Sequence, residues 1–316
     1  MNVSIIGAGR TRNGIGEYIG KFFHQVGAKI TSVLGTSEKT SLEVCSALRK
    51  YGIEARPYTD FDEMVKSEKP DAVVIASPSS THYEYLLKSL DAGLHIFCEK
   101  PFIWNGPTNI QKNIEPIFEK ARGKKLTIAM NSQWPFSIDA YKKICGKIRI
   151  KRSNTFHIKM APPFPGREMI PESVPHALSL LYCLLGNGEI EDLNFESVGE
   201  KEMSIRFVYL FGTKGCDVFV RLACQETGSR DFSFGLNDQM VFRSVDPENY
   251  EIYFHHGDKK LRITDPLGLS VKNFIEAVEK KIEPLIGHPH ILHNMSLLKR
   301  IDDGFETFEK RERWQS

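Results

Sequence analysis

Val3-Ser4-Ile5-Ile6-Gly7-Ala8-Gly9, followed across a polar loop by Gly14-Ile15-Gly16-Glu17-Tyr18-Ile19, is the stretch that decides the fold. A short apolar strand ends on a glycine pair, and Ile15, Ile19, Phe22, Phe23 and Val26 then recur at helical spacing. Glycines at such a junction let backbone amides and a helix N-terminus approach a phosphate, because no Cβ stands in the way. The usual fingerprint places its third glycine where this chain has Arg12, so the loop is lengthened and Gly16 takes the closing role. Gly7, Gly9 and Gly16 are the first candidates for holding a dinucleotide.

The same alternation continues outward. Ile30–Leu34 is a second strand, followed by a helix carrying Leu42, Cys45 and Leu48. A weak strand over Ala55–Tyr58 leads to a helix opened by Asp60 and Glu63 at capping-box spacing. Asp71–Ala76 is nearly all apolar, as a central parallel strand covered on both faces should be. A helix over Tyr85–Leu90, a strand at His95–Cys98, a helix through Ile110–Phe118 and a strand at Leu126–Met130 complete six strands alternating with helices. Parallel strands need such long crossovers, so the expected fold is an α/β Rossmann-type parallel-sheet domain over residues 1–130.

From residue 131 to 316 the pattern changes to an α+β domain with an open, mostly antiparallel sheet. A helix at Phe136–Cys145 precedes strands at Arg149–Ile150 and Thr155–Met160, and a proline-rich loop leads to a helix over His176–Leu185, stopped by Gly186. Ile205–Phe211 and Asp217–Leu222 flank a Thr213-Lys214-Gly215 hairpin turn. Strands near Phe232–Phe234, Met240–Arg243, Tyr250–Phe254 and Leu261–Ile263 follow, then helices over Val271–Lys281 and Ile291–Phe308, which can pack back on the first domain.

Composition narrows the function classes. With 42 basic against 40 acidic residues the net charge is +2, too small for a whole-molecule field that attracts nucleic acid or a membrane. Six scattered cysteines without a Cys-x-x-Cys pair read as reduced thiols, the N-terminus lacks a signal-peptide pattern, and no apolar run reaches membrane-spanning length. A cytoplasmic location is the expectation. His255-His256 and His288-Pro289-His290 lack metal-site spacing, so no metal is expected and these histidines are read as solvent-exposed.

The second strand of a dinucleotide-binding fold normally ends in an acid for the adenosine 2′-hydroxyl. Here Gly35, Thr36 and Ser37 stand in that place and Glu38 comes late. Small hydroxyls, with Arg10 and Arg12 on the neighbouring loop, suit a 2′-phosphate and favour NADP, with NAD as the alternative. The two arginines either pair with that phosphate, grip the pyrophosphate or remain solvated.

Ser77-Pro78-Ser79-Ser80-Thr81-His82 and Glu99-Lys100-Pro101 follow the fourth and fifth strands, at the carboxyl ends where open α/β sheets bind ligands. With these two turns, and Asp265-Pro266-Leu267 before the penultimate helix, nearly the whole chain resembles the Gfo/Idh/MocA family of NAD(P)-dependent oxidoreductases. The resemblance implies that Lys100 lies near nicotinamide and substrate, that Pro101 follows a cis bond, and that Glu99 holds the loop. Ser77, Pro78 and His82 join the cofactor-binding candidates; His82 either flanks the cofactor or caps and packs its helix. A lysine beside a reacting carbonyl can stabilise oxyanion charge or relay a proton.

The family's Asp-x-x-x-His-x-x-Asp motif matches Glu172-Ser173-Val174-Pro175-His176-Ala177-Leu178-Ser179, with Ser179 replacing the second acid. His176 is the implied catalytic histidine and Glu172 its carboxylate neighbour. Pro175 in a first helical turn would leave His176 near the helix's positive end. Asn131 and Gln133, after the sixth strand, either contact substrate or form a hinge. The expected function is hydride transfer between nicotinamide and a small polar carbonyl or alcohol, a sugar or sugar derivative by the resemblance. An imine reductase and a catalytically inactive NAD(P)-binding sensor or regulator are the alternatives. The expected partners are a small-molecule substrate and a second copy of the chain, as a homodimer or homotetramer.

Overall fold

A computed structural model describes residues 1–9, 15–104, 110–197 and 200–315. In chain order the elements begin with β1 (Asn2–Ile6), α1 (Ile15–Gln25), β2 (Lys29–Leu34), α2 (Glu38–Leu48), β3 (Arg56–Tyr58) and α3 (Phe61–Glu68). They continue with β4 (Ala72–Ile75), α4 (His82–Asp91), β5 (His95–Glu99), α5 (Ile110–Lys124), β6 (Ile128–Asn131) and α6 (Ile138–Cys145). β7 (Ser153–Met160), α7 (Met169–Leu185), β8 (Glu189–Ser197), β9 (Glu202–Phe211) and β10 (Lys214–Ala223) follow. β11 (Phe232–Leu236), β12 (Gln239–Val245), β13 (Ile252–His256), β14 (Lys259–Ile263), α8 (Pro266–Lys280) and α9 (His288–Gln315) close the sequence. The chain divides into two compact units, 1–132 with 267–292, and 133–266 with 293–316.

In the first unit, six parallel strands lie in the order β3-β2-β1-β4-β5-β6. This is the doubly wound sheet that the alternation of patterns predicts, with its switch point where β1 and β4 lie side by side. All four residues of β4 are fully buried, which explains why the strand carries no polar face. Helix starts follow local chemistry: Asp60 accepts from the Glu63 amide at 2.8 Å, and Ser37 with Thr40 forms a capping box at the head of α2. α8 completes this unit's core. Phe274 packs on Phe23 and Phe97 with ring centroids 5.9 and 5.4 Å away, and Phe23 meets Phe97 edge-on at 5.6 Å.

In the second unit eight strands lie in the order β14-β13-β12-β11-β7-β10-β9-β8; β7 and β10 pair in parallel and the other neighbours are antiparallel. One face is core: Ile205, Phe207 and Tyr209 of β9 and Val218 and Val220 of β10 are buried. α7 packs on β10, α6 on β12–β14, and Phe305 of α9 on Phe195 of β8 at 5.3 Å. The opposite face is open. His157 stacks on Phe219 at 4.6 Å, and Phe242 and Leu210 stand 56% and 36% exposed.

Three expectations are corrected. Arg149–Ile150 forms no strand; instead the Arg149 and Arg152 carbonyls accept hydrogen bonds from the Asn237 side chain and the Gly215 amide. β8 is an additional strand. α7 begins at Met169, seven residues before His176. Its third residue, Pro171, needs no intrahelical donor, and Pro175 removes one bond from a helix whose Ile170, Val174, Leu178 and Leu181 are all fully buried. Among the described residues no helix is long and apolar enough to cross a membrane, and all six cysteines are free thiols.

Because Phe274 ties α8 to the first sheet, Phe274→Ala should destabilise this unit by about 3–5 kcal/mol. Urea unfolding followed by circular dichroism checks this, and a loss under about 1 kcal/mol would mean that α8 is not part of that core.

Candidate active site

Gly7 terminates β1 with φ +79, a conformation that costs glycine least. A Cβ built there would lie 2.3 Å from the Ser77 Cα, so backbone meets backbone where β1 and β4 end. Gly16 opens α1 in the same close manner, its Cβ position 2.8 Å from the Ala8 Cα. Gly9 is partly exposed at the edge of the described residues, and Arg10 and Arg12 lie outside them. A strand ending on Gly7, with Gly9 just beyond it and Gly16 in the first turn of α1, at the switch point, fits the pyrophosphate of a dinucleotide. At the end of β2, Thr36 and Ser37 are exposed, and the Ser37 hydroxyl is engaged with the Thr40 amide in the capping box.

The two turns beside the switch point are joined through one side chain. His82 is 1% exposed, with Nε2 2.9 Å from the Ser77 carbonyl and Nδ1 2.9 Å from the Pro101 carbonyl. Burial, with a smaller contribution from the Lys100 charge, pushes its pKa below the ordinary histidine value, against the pull of the carbonyls. Neither ring nitrogen is left for a ligand, so of its two sequence readings packing is the one observed. Thr81 steadies the same turn: its hydroxyl lies within hydrogen-bond distance of both the Pro78 carbonyl, at 2.8 Å, and the Ser77 hydroxyl, at 2.7 Å. Pro78 is exposed and Ser77 partly so.

Lys100 precedes a cis peptide bond to Pro101 and is partly exposed, between buried Glu99 and buried Pro101. Glu99 is 8% exposed and accepts from the Asn131 side-chain amide. That contact pairs adjacent strand ends, since Glu99 and Asn131 are register partners of β5 and β6. Asn131 is 3% exposed and so turned into protein, away from the substrate role expected of it. Beyond Pro101, fully buried Phe102 stacks on Phe118, which in turn stacks on His288 at 4.4 Å. His288 Nε2 lies 3.0 Å from a Glu115 carboxylate oxygen, and His290 is buried, so these histidines are structural and not solvated as their sequence context suggested.

In the second unit, Glu172 and His176 are the two partly exposed residues within the buried stretch 169–181 of α7. Their i, i+4 spacing sets them on one helix face, neighbours one turn apart. His176 sits well inside the helix, so the helix-end field invoked from its sequence does not act on it. Ser179, in the place of the family's second acid, is buried and accepts from the Asn294 amide at 2.9 Å. Gln133 is partly exposed ahead of a short turn at Trp134–Ser137, where Trp134 stacks on Phe232 at 3.6 Å. Among the described residues no cluster of histidine, cysteine and acid could hold a metal.

Comparison with known proteins bears on this geometry. A family model described as oxidoreductase family, NAD-binding Rossmann fold, matches residues 1–130. D-glucoside 3-dehydrogenase of Escherichia coli is 27% identical over 139 residues, which are 44% of this chain and 36% of that protein. Inositol 2-dehydrogenase of Salmonella typhimurium is 24% identical over 146 residues, 44% of this chain and 43% of that one. The chain thus aligns with less than half the length of these curated relatives. The solved structure of UDP-N-acetylglucosamine 3-dehydrogenase from Acidithiobacillus ferrooxidans shares the fold across 96% of both chains, with a TM-score of 0.69 at 17% identity. By the family-model match, and by the glycine turn and the two strand-end turns within it, residues 1–130 are a Rossmann domain of the Gfo/Idh/MocA oxidoreductase type.

Proposed function

We propose that the chain is an NAD(P)-dependent oxidoreductase acting on a small polar carbonyl or alcohol, of the sugar or polyol class. The first domain holds the cofactor and the second the substrate. The observation that carries this reading is Lys100, a partly exposed lysine held on a buried turn at the carboxyl end of β5. Gly7, Gly9 and Gly16 would admit the pyrophosphate, Thr36 and Ser37 the adenosine end, and Ser77, Pro78 and Lys100 the nicotinamide end. When bound, the nicotinamide supplies or takes up the hydride.

The chain's own residues handle the proton. Lys100 would stabilise charge on a substrate oxygen, and His176 would deliver or accept a proton, with Glu172 one helical turn away to orient the imidazole. Ser179, in the place of the family's second acid, is buried against Asn294, which puts the usual polyol or sugar recognition in doubt. It also supports the second reading, a cofactor-binding regulator without turnover. Catalysed hydride exchange separates the two.

The turn at Gly35-Thr36-Ser37 has no carboxylate to repel a 2′-phosphate, and Arg10 and Arg12 offer bidentate partners for one. NADPH should therefore bind more tightly than NADH, and the preference should shrink in an Arg10→Ala, Arg12→Ala double variant. Calorimetry that finds NADH bound as well or better rejects the preference.

His176→Asn and Lys100→Met should each slow hydride transfer by about 10²–10⁴-fold, the usual worth of general acid–base help. Glu172→Gln should cost less, since it removes an orienting group and leaves the proton donor. Single-turnover measurements on candidate sugars and polyols read all three variants. A His176→Asn variant as fast as wild type would make the histidine structural.

The open face of the eight-stranded sheet, with Phe242 and Leu210 exposed and Phe219 and Val208 half-buried, supports assembly of the chain as a homodimer or homotetramer. Light scattering should report a mass above 35.9 kDa at micromolar concentration, and a monomer would contradict this arrangement.

A further inference from the structure

We infer that His82 is the positioning residue of Lys100, an inference that rests on the cofactor and lysine roles proposed above. The ring is 1% exposed, and its two nitrogens lie 2.9 Å from the carbonyls of both turns beside the switch point, Ser77 and Pro101; the neutral ring donates its single N–H to one of them and packs against the other. The Ser77 turn packs directly on the backbone of Gly7, so close that a side chain at position 7 would overlap it. A ring clamped to that fixed point transmits the fixity across to Pro101, the residue that follows Lys100.

The far side of the Lys100 turn is held independently, by Phe102 stacked on Phe118 with ring centroids 5.8 Å apart. The Cys98 thiol adds a weak contact to the Phe102 carbonyl at 3.9 Å. Removing His82 leaves the turn held by Glu99 at the end of β5 and by the Phe102 ring, and frees the Pro101 carbonyl, so that the turn shifts and does not unfold. A pivot of about 10° carries the end of a lysine side chain through about 1 Å, and a misplacement of that size can cost about 10²-fold in rate. A substitution at position 82 should thus act on the nicotinamide end alone and leave the pyrophosphate and adenosine contacts intact.

The test is a double-mutant cycle on binding, which needs no known substrate. Dissociation constants for NADH and for ADP-ribose, which lacks the nicotinamide, are measured by calorimetry on wild type, His82→Phe, Lys100→Met and the double variant. The emission of bound NADH is recorded alongside. Lys100→Met should lower the preference for NADH over ADP-ribose by about 10-fold, as loss of a contact to a charged group does. His82→Phe should lower it similarly and leave ADP-ribose affinity within about 2-fold of wild type. The double variant should match either single one, because a lysine already misplaced has nothing further to lose. His82→Gln, which keeps one donor, should recover part of the preference and carries the same cycle if the phenylalanine variant does not fold. Additive effects, or equal loss of NADH and ADP-ribose affinity, overturn the positioning role while leaving the cofactor site standing. A Lys100→Met variant with unchanged NADH preference, or a wild type that binds neither NADH nor NADPH, overturns the underlying reading and the inference with it.

Discussion

Everything in the first unit turns on a contact without side chains, the approach of Gly7 to Ser77 at the ends of β1 and β4. The Cβ of any other residue at position 7 would lie 2.3 Å from the Ser77 Cα, and the positive φ there disfavours side chains besides. This closeness keeps the two strand ends together at the switch point and fixes the turn from which His82 reaches the Lys100 loop. The candidate site is therefore mounted on backbone, and the frame leaves Lys100 partly exposed.

The second unit builds its candidate site by a different route. α7 is buried on nearly every side, and Glu172 and His176 come to the surface together because they are four residues apart on a helix too apolar to turn any other face outward. Ser179 lies within the same stretch but points into the protein, to Asn294. An acid in its place would be buried beside an amide, which explains why a hydroxyl occupies it.

Much of this was legible in the sequence, because the six strands of the first unit are short apolar runs separated by helices with caps and periodic faces. Strands of the second unit were read where alternation is clean, as in Ile205–Phe211. β8 escaped because its alternation is broken: Asp192 has φ +50, the register with β9 shifts between Glu191 and Asn194, and Ile190 and Phe195 fall out of phase. The start of α7 was misjudged because Pro175 looks like a first-turn residue, whereas burial of the surrounding apolar face outweighs the one hydrogen bond it removes. For His82 the sequence left two readings open, since one of its partners lies 19 residues away and can be identified only in three dimensions. Asn131 was likewise left with two readings, and its bond to Glu99 on the neighbouring strand is visible only in three dimensions.

The central claim is that the glycine-lined switch point holds a dinucleotide with its nicotinamide end toward Lys100. A crystal structure of the chain soaked with NADPH measures this most directly. The account predicts density running across the carboxyl ends of the first sheet, with the pyrophosphate over Gly7 and Gly9 and the nicotinamide within reach of Lys100. Clear density for the nucleotide elsewhere, or a nicotinamide turned away from Lys100, would contradict it.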